Sequence, residues 1–441
     1  MQIVKYDKRF SWPIVGNIPE ILSGLVKSRG NLAQAIGKFF KPDGPQTVRF
    51  KLGHKTFLAT QDMNFIEDIL KKNPHKYSKT AWEHRVLNPL MRGGLILANG
   101  EDWKRRRQIL NPYFNKPYLS NLIEVARKAT FQRFDNRWDE KINFSHELMC
   151  IGTNTLISYF MGDALMGERP GERSIDYYVN IFRKMEKNLE SMVLPHPSLK
   201  KKSVERNLEI AMEPIRKRVP PDQSVMSKIF SDFGNDKEVF EEFGTIFGAA
   251  ATTVHALSWL GDLLGKHPEI QERVFAEIET FLGQGNYPKE TTLEDLEQLH
   301  YLTAVIWEGM RLYPPAPLML RTPDPGVLDE KIQAIFIPIW LLNRNPKFWD
   351  SPLEFRPQRW LLTSGDGQVR IKKVDQFIPF GDGPRICIGM RFSMIESRII
   401  LIEMLRRYKL DSIGLKTPNA KSDILTRPSK DIYLNITKRN L

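Results

Sequence analysis

The chain has 441 residues, of which 41% are hydrophobic and 27% charged, the ordinary balance of a globular protein with a large core. Its formal net charge is +13. Lysine and arginine are nevertheless spread along the chain without a zinc-finger or RNA-recognition motif, so we do not expect nucleic-acid binding. No signal segment and no run of about 20 uncharged apolar residues occurs, which predicts a cytoplasmic protein without a transmembrane anchor.

The apolar pattern divides the first three quarters of the chain into two parts. Residues 46–60 alternate apolar and polar side chains around a Gly-His turn, which predicts a β-hairpin. We therefore expect a β-rich portion over about residues 1–70 and a helical body over about residues 70–312. The clearest helix is predicted from about residue 237 to Gly265, because Pro268 then opens the next helix.

After residue 311 prolines cluster and the helical pattern stops. Residues 332–340 predict a short strand, and an amphipathic helix is predicted over about residues 390–408, before terminal strands. We find no polar linker. We therefore expect one domain, residues 1–441, that is mainly α-helical with a smaller β region.

The two cysteines, Cys150 and Cys387, lie in different settings. They are too few for a disulfide framework or a cysteine-only zinc site. Cys150 lies in an apolar helical stretch, where a buried core thiol is expected. Cys387 lies in the glycine-rich loop FGDGPRICIG, residues 380–389.

A cysteine binds a metal as the thiolate, which needs hydrogen-bond donors and a positive field nearby. In this loop the glycines let the backbone turn tightly and bring its N–H groups to the sulfur of Cys387. The predicted helix that follows adds the positive end of its dipole. The phenylalanine that opens the loop would shield the sulfur from water, and the arginine would pair with an anionic group of a cofactor.

The loop is similar to the cysteine-ligand signature of the cytochrome P450 family, Phe-Gly-x-Gly-x-Arg-x-Cys-x-Gly. All six fixed positions are present: Phe380, Gly381, Gly383, Arg385, Cys387 and Gly389. The resemblance covers nearly the whole chain. It implies that Cys387 is the ligand to the iron of haem b, and that the fold is the family's triangular prism, with the haem between the long helix and the cysteine loop.

A second motif of the family is Glu-x-x-Arg, which alone usually marks a surface ion pair. The pattern starts at four positions: Glu124, Glu213, Glu308 and Glu403. Context selects the third, because Pro314 and Pro315 follow it and its order relative to Cys387 is right. The resemblance implies a structural triad in which Glu308 and Arg311 join Arg359, from a Phe-x-Pro-x-Arg stretch, in a buried charge network.

Further matches concern the two faces of the cofactor. Trp103 and Arg107 match the family's Trp-x-x-x-Arg helix, and Arg321 matches another arginine, which implies that they bind haem propionates. On the long helix, Thr252 matches the threonine that hydrogen-bonds oxygen. Ala251 stands where the family usually has an acid that relays protons.

His255, one turn after Thr252, is a candidate substitute for that acid, although a histidine packed in the core is the commoner case. The substrate pocket is expected to be mainly apolar. Candidate contacts are Met91, Leu95, Phe247, Ala251, His255 and Leu318.

The resemblance implies a monooxygenase that uses dioxygen, a small-molecule substrate and electrons from a separate partner. We predict an acidic ferredoxin or flavodoxin with its reductase, attracted by basic residues near the cysteine side. These residues are Lys104, Arg105, Arg106, Lys372, Lys373 and Arg391. Because Ala251 replaces the acid, one alternative is chemistry without oxygen insertion: phenol coupling, desaturation, peroxide use or rearrangement. A second alternative is a haem-thiolate sensor or binding protein.

Overall fold

Helices make up most of the structure. A computed structural model describes residues 7–8, 17–27, 31–41, 43–135, 140–162, 175–191, 198–217, 224–283, 291–365, 369–414, 416–422 and 424–439. Its α-helices are α1 (Ile18–Lys27), α2 (Leu32–Gly37), α3 (Met63–Glu67), α4 (Ala81–Met91), α5 (Gly100–Leu110), α6 (Lys116–Phe134), α7 (Phe144–Met161), α8 (Ile175–Ser191), α9 (Ser198–Lys217), α10 (Val225–Phe233), α11 (Asp236–Lys266), α12 (Pro268–Leu282), α13 (Leu293–Gln298), α14 (His300–Leu312), α15 (Ile339–Leu342) and α16 (Met390–Arg407). None of the described helices is both long and apolar enough to cross a lipid bilayer. The mainly α-helical class predicted from the sequence is confirmed.

Helix α11 is the longest described element, with 31 residues. The side chain of Asn235 caps its start by accepting a hydrogen bond from the backbone N–H of Glu238. Its last turn ends at Lys266, and Pro268 opens α12 because proline is well accommodated in the first turn of a helix. The predicted bounds of both α11 and α16 are correct to within one residue.

Short strands form one larger sheet and several small ones. The strands are β1 (Asp7–Lys8), β2 (Thr47–Leu52), β3 (Lys55–Thr60), β4 (Tyr77–Ser78), β5 (Glu140–Asn143), β6 (Met319–Pro323), β7 (Ile332–Ile337), β8 (Leu361–Thr363), β9 (Val369–Ile371), β10 (Tyr408–Ser412), β11 (Ala420–Ser422), β12 (Thr426–Pro428) and β13 (Tyr433–Lys438). The largest sheet has the order β1-β2-β3-β7-β6-β4. The predicted hairpin is confirmed, because β2 and β3 pair antiparallel with Thr47 opposite Thr60.

The expectation of a β-rich portion over residues 1–70 needs correction, since helices α1, α2 and α3 lie there as well. Helices α1 and α2 are stabilised here because their apolar side chains pack against the sheet. Ile21 and Ile36 are buried in one cluster with Val48 and Phe50 of strand β2. Helices in this segment therefore cover one face of the hairpin.

The largest apolar cluster joins α6, α7, α11, α14 and α16. Small residues let two of these helices approach closely. A Cβ atom added to Gly261 of α11 would lie 2.1 Å from the ring of Phe144 on α7. The long helix is therefore fixed against its neighbours, which sets the position of the residues at its centre.

A buried carboxylate, Glu308 of α14, holds the segment that precedes the cysteine loop. Its oxygens accept hydrogen bonds from Arg311, at 2.8 Å, and from Arg359, at 3.0 Å. They also accept from the Trp360 indole and the Arg356 backbone N–H. Arg311 in turn donates to backbone carbonyls of residues 343, 352 and 354. The charge pair thus fixes the path of the chain over residues 343–360.

We predict that Glu308→Gln lowers the free energy of unfolding by about 3–5 kcal/mol, because the substitution leaves two guanidinium groups without their buried counter-charge. Urea unfolding measures this change. The matched control is Glu124→Gln, since Glu124 has the same spacing to Arg127 but the pair is exposed. The control should change the free energy by less than about 1 kcal/mol. Equal effects of the two substitutions would contradict the structural role of the network.

Candidate active site

The loop around Cys387 turns back on itself through two glycines. Gly381 and Gly383 have φ angles of 74° and 67°, in the left-handed region that other residues rarely adopt. The turn is closed by the backbone N–H of Cys387, which donates to the carbonyl of Phe380 at 2.8 Å. The cysteine side chain is thereby held at the end of a tight turn, three residues before α16 begins.

Gly383 also permits a close contact between the loop and the segment after α3. A Cβ atom at this position would lie 1.8 Å from the carbonyl oxygen of Leu70. Next to it, Lys71 forms an ion pair with Asp382 at 2.9 Å. The spacing of the motif therefore places the loop directly against residues 70–71.

Opposing effects act on the thiol of Cys387. Burial among protein atoms raises the pKa of this thiol overall, and the N–H of Gly389 and the charge of Arg107 offset part of that rise. The start of α16 adds the positive end of a helix dipole. Arg107 is held in place because it donates to the carbonyl of Ile386 at 2.7 Å. The loop thus supplies the donors and the positive field that a thiolate requires.

Cys387 nevertheless has accessible surface, so its side chain faces a recess within the protein. A second accessible stretch lies at residues 248–252 of α11, between the buried residues 242–247 and 253–264. Thr253 on α11, next to this stretch, donates a hydrogen bond of 3.0 Å to Ser393 on α16, the helix that follows the cysteine loop. Within the accessible stretch, the hydroxyl of Thr252 donates to the carbonyl of Ala249 at 2.7 Å.

Close to Cys387, positively charged side chains outnumber negatively charged ones. Burial lowers the pKa of Arg385 to about 10 and also lowers that of Arg321, and the two guanidinium groups repel each other. Lys79 is close to both. Glu83 opposes them, and its carboxylate pairs with Lys79 at 3.0 Å. Among the described residues these three cations and one carboxylate carry a net charge of +2, which calls for an anionic ligand with two charges.

Arg385 is oriented by groups from a distant part of the chain. Its guanidinium donates to the carbonyl of Ala98 at 2.9 Å and lies 4.7 Å from the ring centre of Trp103. Trp103 and Arg107 share α5, yet the first contacts Arg385 and the second contacts the cysteine loop. The side-chain oxygen of Asn99 accepts hydrogen bonds from Arg385 and from the Lys79 backbone N–H. Sequence reasoning missed Lys79, Glu83 and Asn99. Only the Thr-x-x-Glu capping pattern at residues 80–83 could have drawn attention to this segment.

An apolar cleft, partly open to solvent, lies against α11. Its lining residues are Leu90, Met149, Gly152, Thr153, Leu156, Phe182, Met185, Glu186, Phe247, Gly248, Ala250, Ala251, Val254, Ile424 and Leu425. Two of the predicted pocket residues, Phe247 and Ala251, are among them.

The other predicted pocket residues lie elsewhere. Met91 is buried where α4 packs against Gly248. Leu95 is buried too, and its N–H donates to the carboxylate of Glu242. Leu318 packs with the cluster beneath the β2–β3 hairpin, because its segment leads into strand β6.

His255 lies behind the cleft and contacts it through an acid. Its Nε2 is 2.5 Å from Oε1 of Glu186, which comes from α8 and lines the cleft. Burial raises the pKa of Glu186, but His255 together with the charges of Arg427 and Arg183 outweighs this effect, so the pKa is lowered overall. Sequence reasoning missed Glu186, because nothing in the local pattern of α8 distinguishes it from other charged residues.

The predicted basic surface needs correction at Arg106. Arg106 is buried, and its guanidinium pairs with acids on its own helix and on α11. Those acids are Asp102, Glu238, Glu241 and Glu242. Arg105 also pairs with Glu238. The two arginines therefore fasten α5 to α11, whereas Lys372, Lys373 and Arg391 are exposed.

Comparison with known proteins agrees with this geometry. The sequence matches the family described as Cytochrome P450 over residues 8–218 and 228–436. The chain belongs to the cytochrome P450 family, whose members are haem-thiolate monooxygenases. The resemblance seen in the sequence is thereby confirmed.

The chain is similar to several curated members of this family. It is 25% identical to Cytochrome P450 4V2 of Mus musculus, with 89% of this chain and 82% of the mouse protein covered. It is 26% identical to Protein LUTEIN DEFICIENT 5, chloroplastic, of Arabidopsis thaliana, covering 89% of this chain and 72% of that protein. It is 27% identical to Cytochrome P450 4Z1 of Homo sapiens, covering 86% and 81%.

We predict that Gly383→Ala destabilises the protein much more than Gly381→Ala. Both residues have positive φ angles, which cost an alanine about 1–2 kcal/mol. Only the alanine at position 383 would also meet the carbonyl of Leu70, since nothing lies closer than 3.8 Å to a Cβ at position 381. Thermal unfolding of the two variants tests this difference. Equal losses would show that the loop does not depend on the contact with residue 70.

Proposed function

We propose that Cys387 holds haem b and that the chain oxidises a mainly apolar small molecule with dioxygen. The observation that carries the proposal is the cation cluster beside the cysteine recess. Its net charge of +2 matches the two carboxylates of haem b, and its members come from three separate segments. We assign Arg385 and Arg321 to the propionates, supported by Lys79 and Trp103.

The other groups of the recess have roles that follow from their contacts. Gly389 and Arg107 stabilise the thiolate of Cys387, and Phe380 limits the access of water to it. Haem ligated by a thiolate supplies the activation of dioxygen, since the thiolate favours cleavage of the O–O bond. Thr252 lies in the accessible stretch of α11, where its hydroxyl can exchange the Ala249 carbonyl for a bound molecule.

Glu186 and His255 are our candidates for the proton-relay function that Ala251 lacks. Helical spacing places His255 one turn after Ala251, and Glu186 reaches the same cleft from α8. Their contact of 2.5 Å lets a proton pass between carboxylate and imidazole. The acid is thus provided by a different helix rather than by the residue before Thr252.

The substrate is proposed to bind in the cleft beside α11. Most of the lining residues are apolar or small, and Glu186 is the charged group among them. Burial of hydrocarbon against these walls provides affinity, whereas a single acid orients a polar group.

Electrons are proposed to come from a separate acidic ferredoxin or flavodoxin. The exposed cations proposed for this surface are Lys104, Arg105, Lys372, Lys373 and Arg391. Arg106 is left out because it is buried and paired with acids of the protein. Complementary charge would steer the donor to this surface and would act less at high ionic strength.

The decisive experiment supplies the purified haem-loaded protein with a surrogate donor, ¹⁸O₂ and compounds that shift its absorption spectrum on binding. We expect products that contain one ¹⁸O atom. Glu186→Gln should divert electrons from product to hydrogen peroxide several-fold, since proton delivery fails while the side-chain size is kept. Glu205→Gln, which removes an acid paired with Lys201 on α9, is the control and should change nothing.

Oxidised products without ¹⁸O would contradict oxygen insertion and favour coupling, desaturation or rearrangement. No oxidation of any bound compound would favour a sensor or binding role. Equal peroxide yields for Glu186→Gln and the parent protein would remove Glu186 from proton delivery.

A further inference from the structure

Three side chains of metal-binding types meet at the contact between α7 and α8, away from the cysteine recess. They are His146 and Cys150 of α7 and Asp176 in the first turn of α8. The imidazole Nε2 lies 3.1 Å from the carboxylate Oδ1, and the sulfur lies 3.6 Å from each of them. No other group of three such residues within the described part of the chain meets so closely.

These distances are those that a tetrahedral zinc ion imposes on its ligands. Zinc binds nitrogen at about 2.05 Å, oxygen at about 2.1 Å and sulfur at about 2.3 Å. A tetrahedral angle then separates nitrogen from oxygen by about 3.4 Å, and separates sulfur from each of the other two by about 3.6 Å. The observed triangle agrees to within about 0.3 Å on every side.

The local structure explains why the three side chains converge and leave a fourth position open. His146 and Cys150 are four residues apart on one face of α7, and Asp176 faces them from α8. Cys150 is buried, whereas His146 and Asp176 are 28% and 49% exposed. An ion can therefore enter from solvent and keep a water molecule as its fourth ligand.

The charges also balance. A thiolate and a carboxylate carry −2 together, which a divalent ion cancels, and the neighbouring Arg133 is neutralised by Glu147 at 2.8 Å. A ligand set of thiolate, imidazole and carboxylate suits zinc better than magnesium or calcium, which prefer oxygen. One effect opposes binding: burial raises the pKa of Cys150 to about 12, so an ion has to displace the thiol proton.

We propose that His146, Cys150 and Asp176 bind one zinc ion, which fastens the start of α8 to α7. The same helix carries Phe182, Met185 and Glu186 into the apolar cleft. Zinc would thereby order one wall of the cleft without touching it. The inference does not depend on the proposed oxidation chemistry, because the three ligands lie on the outer contact between two helices.

The test uses the full-length, haem-loaded protein, purified without a polyhistidine tag and stripped of metals by a chelator. Titration with zinc chloride in a calorimeter should show one tight site per chain. Absorption at the zinc edge should then show one sulfur neighbour at about 2.3 Å. Hydrogen exchange of the α8 amides should slow on adding zinc.

Asp176→Asn and His146→Gln change partly exposed side chains and should leave the fold intact. Each should weaken zinc binding at least tenfold, because even outer-shell partners of a metal contribute about 10–100-fold to affinity. Each should also abolish the effect of zinc on exchange in α8. His54→Gln, in the exposed turn between β2 and β3, is the matched control and should bind as the parent does.

Two results would overturn the proposal. One is a zinc spectrum without a sulfur neighbour. The other is equal zinc affinity in the parent protein and in both ligand variants. Either would leave the three groups as a hydrogen-bonded cluster, in which the imidazole and the thiol donate to a single carboxylate oxygen.

Discussion

A thiol surrounded by protein loses its proton only when the surroundings stabilise the anion, and the structure around Cys387 is organised by this requirement. Two left-handed glycines form the turn, and the N–H of Gly389, the charge of Arg107 and the start of α16 act on the sulfur. The loop can hold this shape because it is anchored at a distance. The carboxylate of Glu308 accepts hydrogen bonds from α14 and from residues 356–360, the segment that leads to the loop.

The excess of positive charge near the cysteine also has a physical explanation. Arg321, Arg385 and Lys79 face Glu83 as their common counter-charge, an arrangement that burial makes costly unless an anion joins it. Members of the cytochrome P450 family bind haem. The propionates of haem b are our proposal for that anion. The excess positive charge is therefore consistent with the cofactor that the family uses.

Local sequence patterns predicted the structural elements whose formation depends on residues close together in the chain. The long helix, the β2–β3 hairpin and the cysteine loop have periodic or motif signals, and their bounds hold to within one residue where bounds were given. Side chains whose partners are distant in sequence could not be predicted. Arg106 looked like a surface cation but binds acids more than 130 residues away on α11.

Glu186 and Asp176 illustrate the same limit. Each is an ordinary charged residue of α8 and gains a role only because α8 packs beside α7 and α11. Helices α1 and α2 were missed for a related reason, since their apolar residues can be recognised as a buried face only once the sheet they cover is known. Family resemblance adds the chemistry of the cysteine motif but does not reveal contacts peculiar to this chain.

The most direct test is the absorption spectrum of the reduced protein under carbon monoxide. A thiolate ligand from Cys387 predicts a strongly red-shifted Soret band, and Cys387→Ser should remove this band while Cys150→Ser leaves it in place. A parent protein without the shifted band, or a Cys387→Ser variant that retains it, would contradict the account.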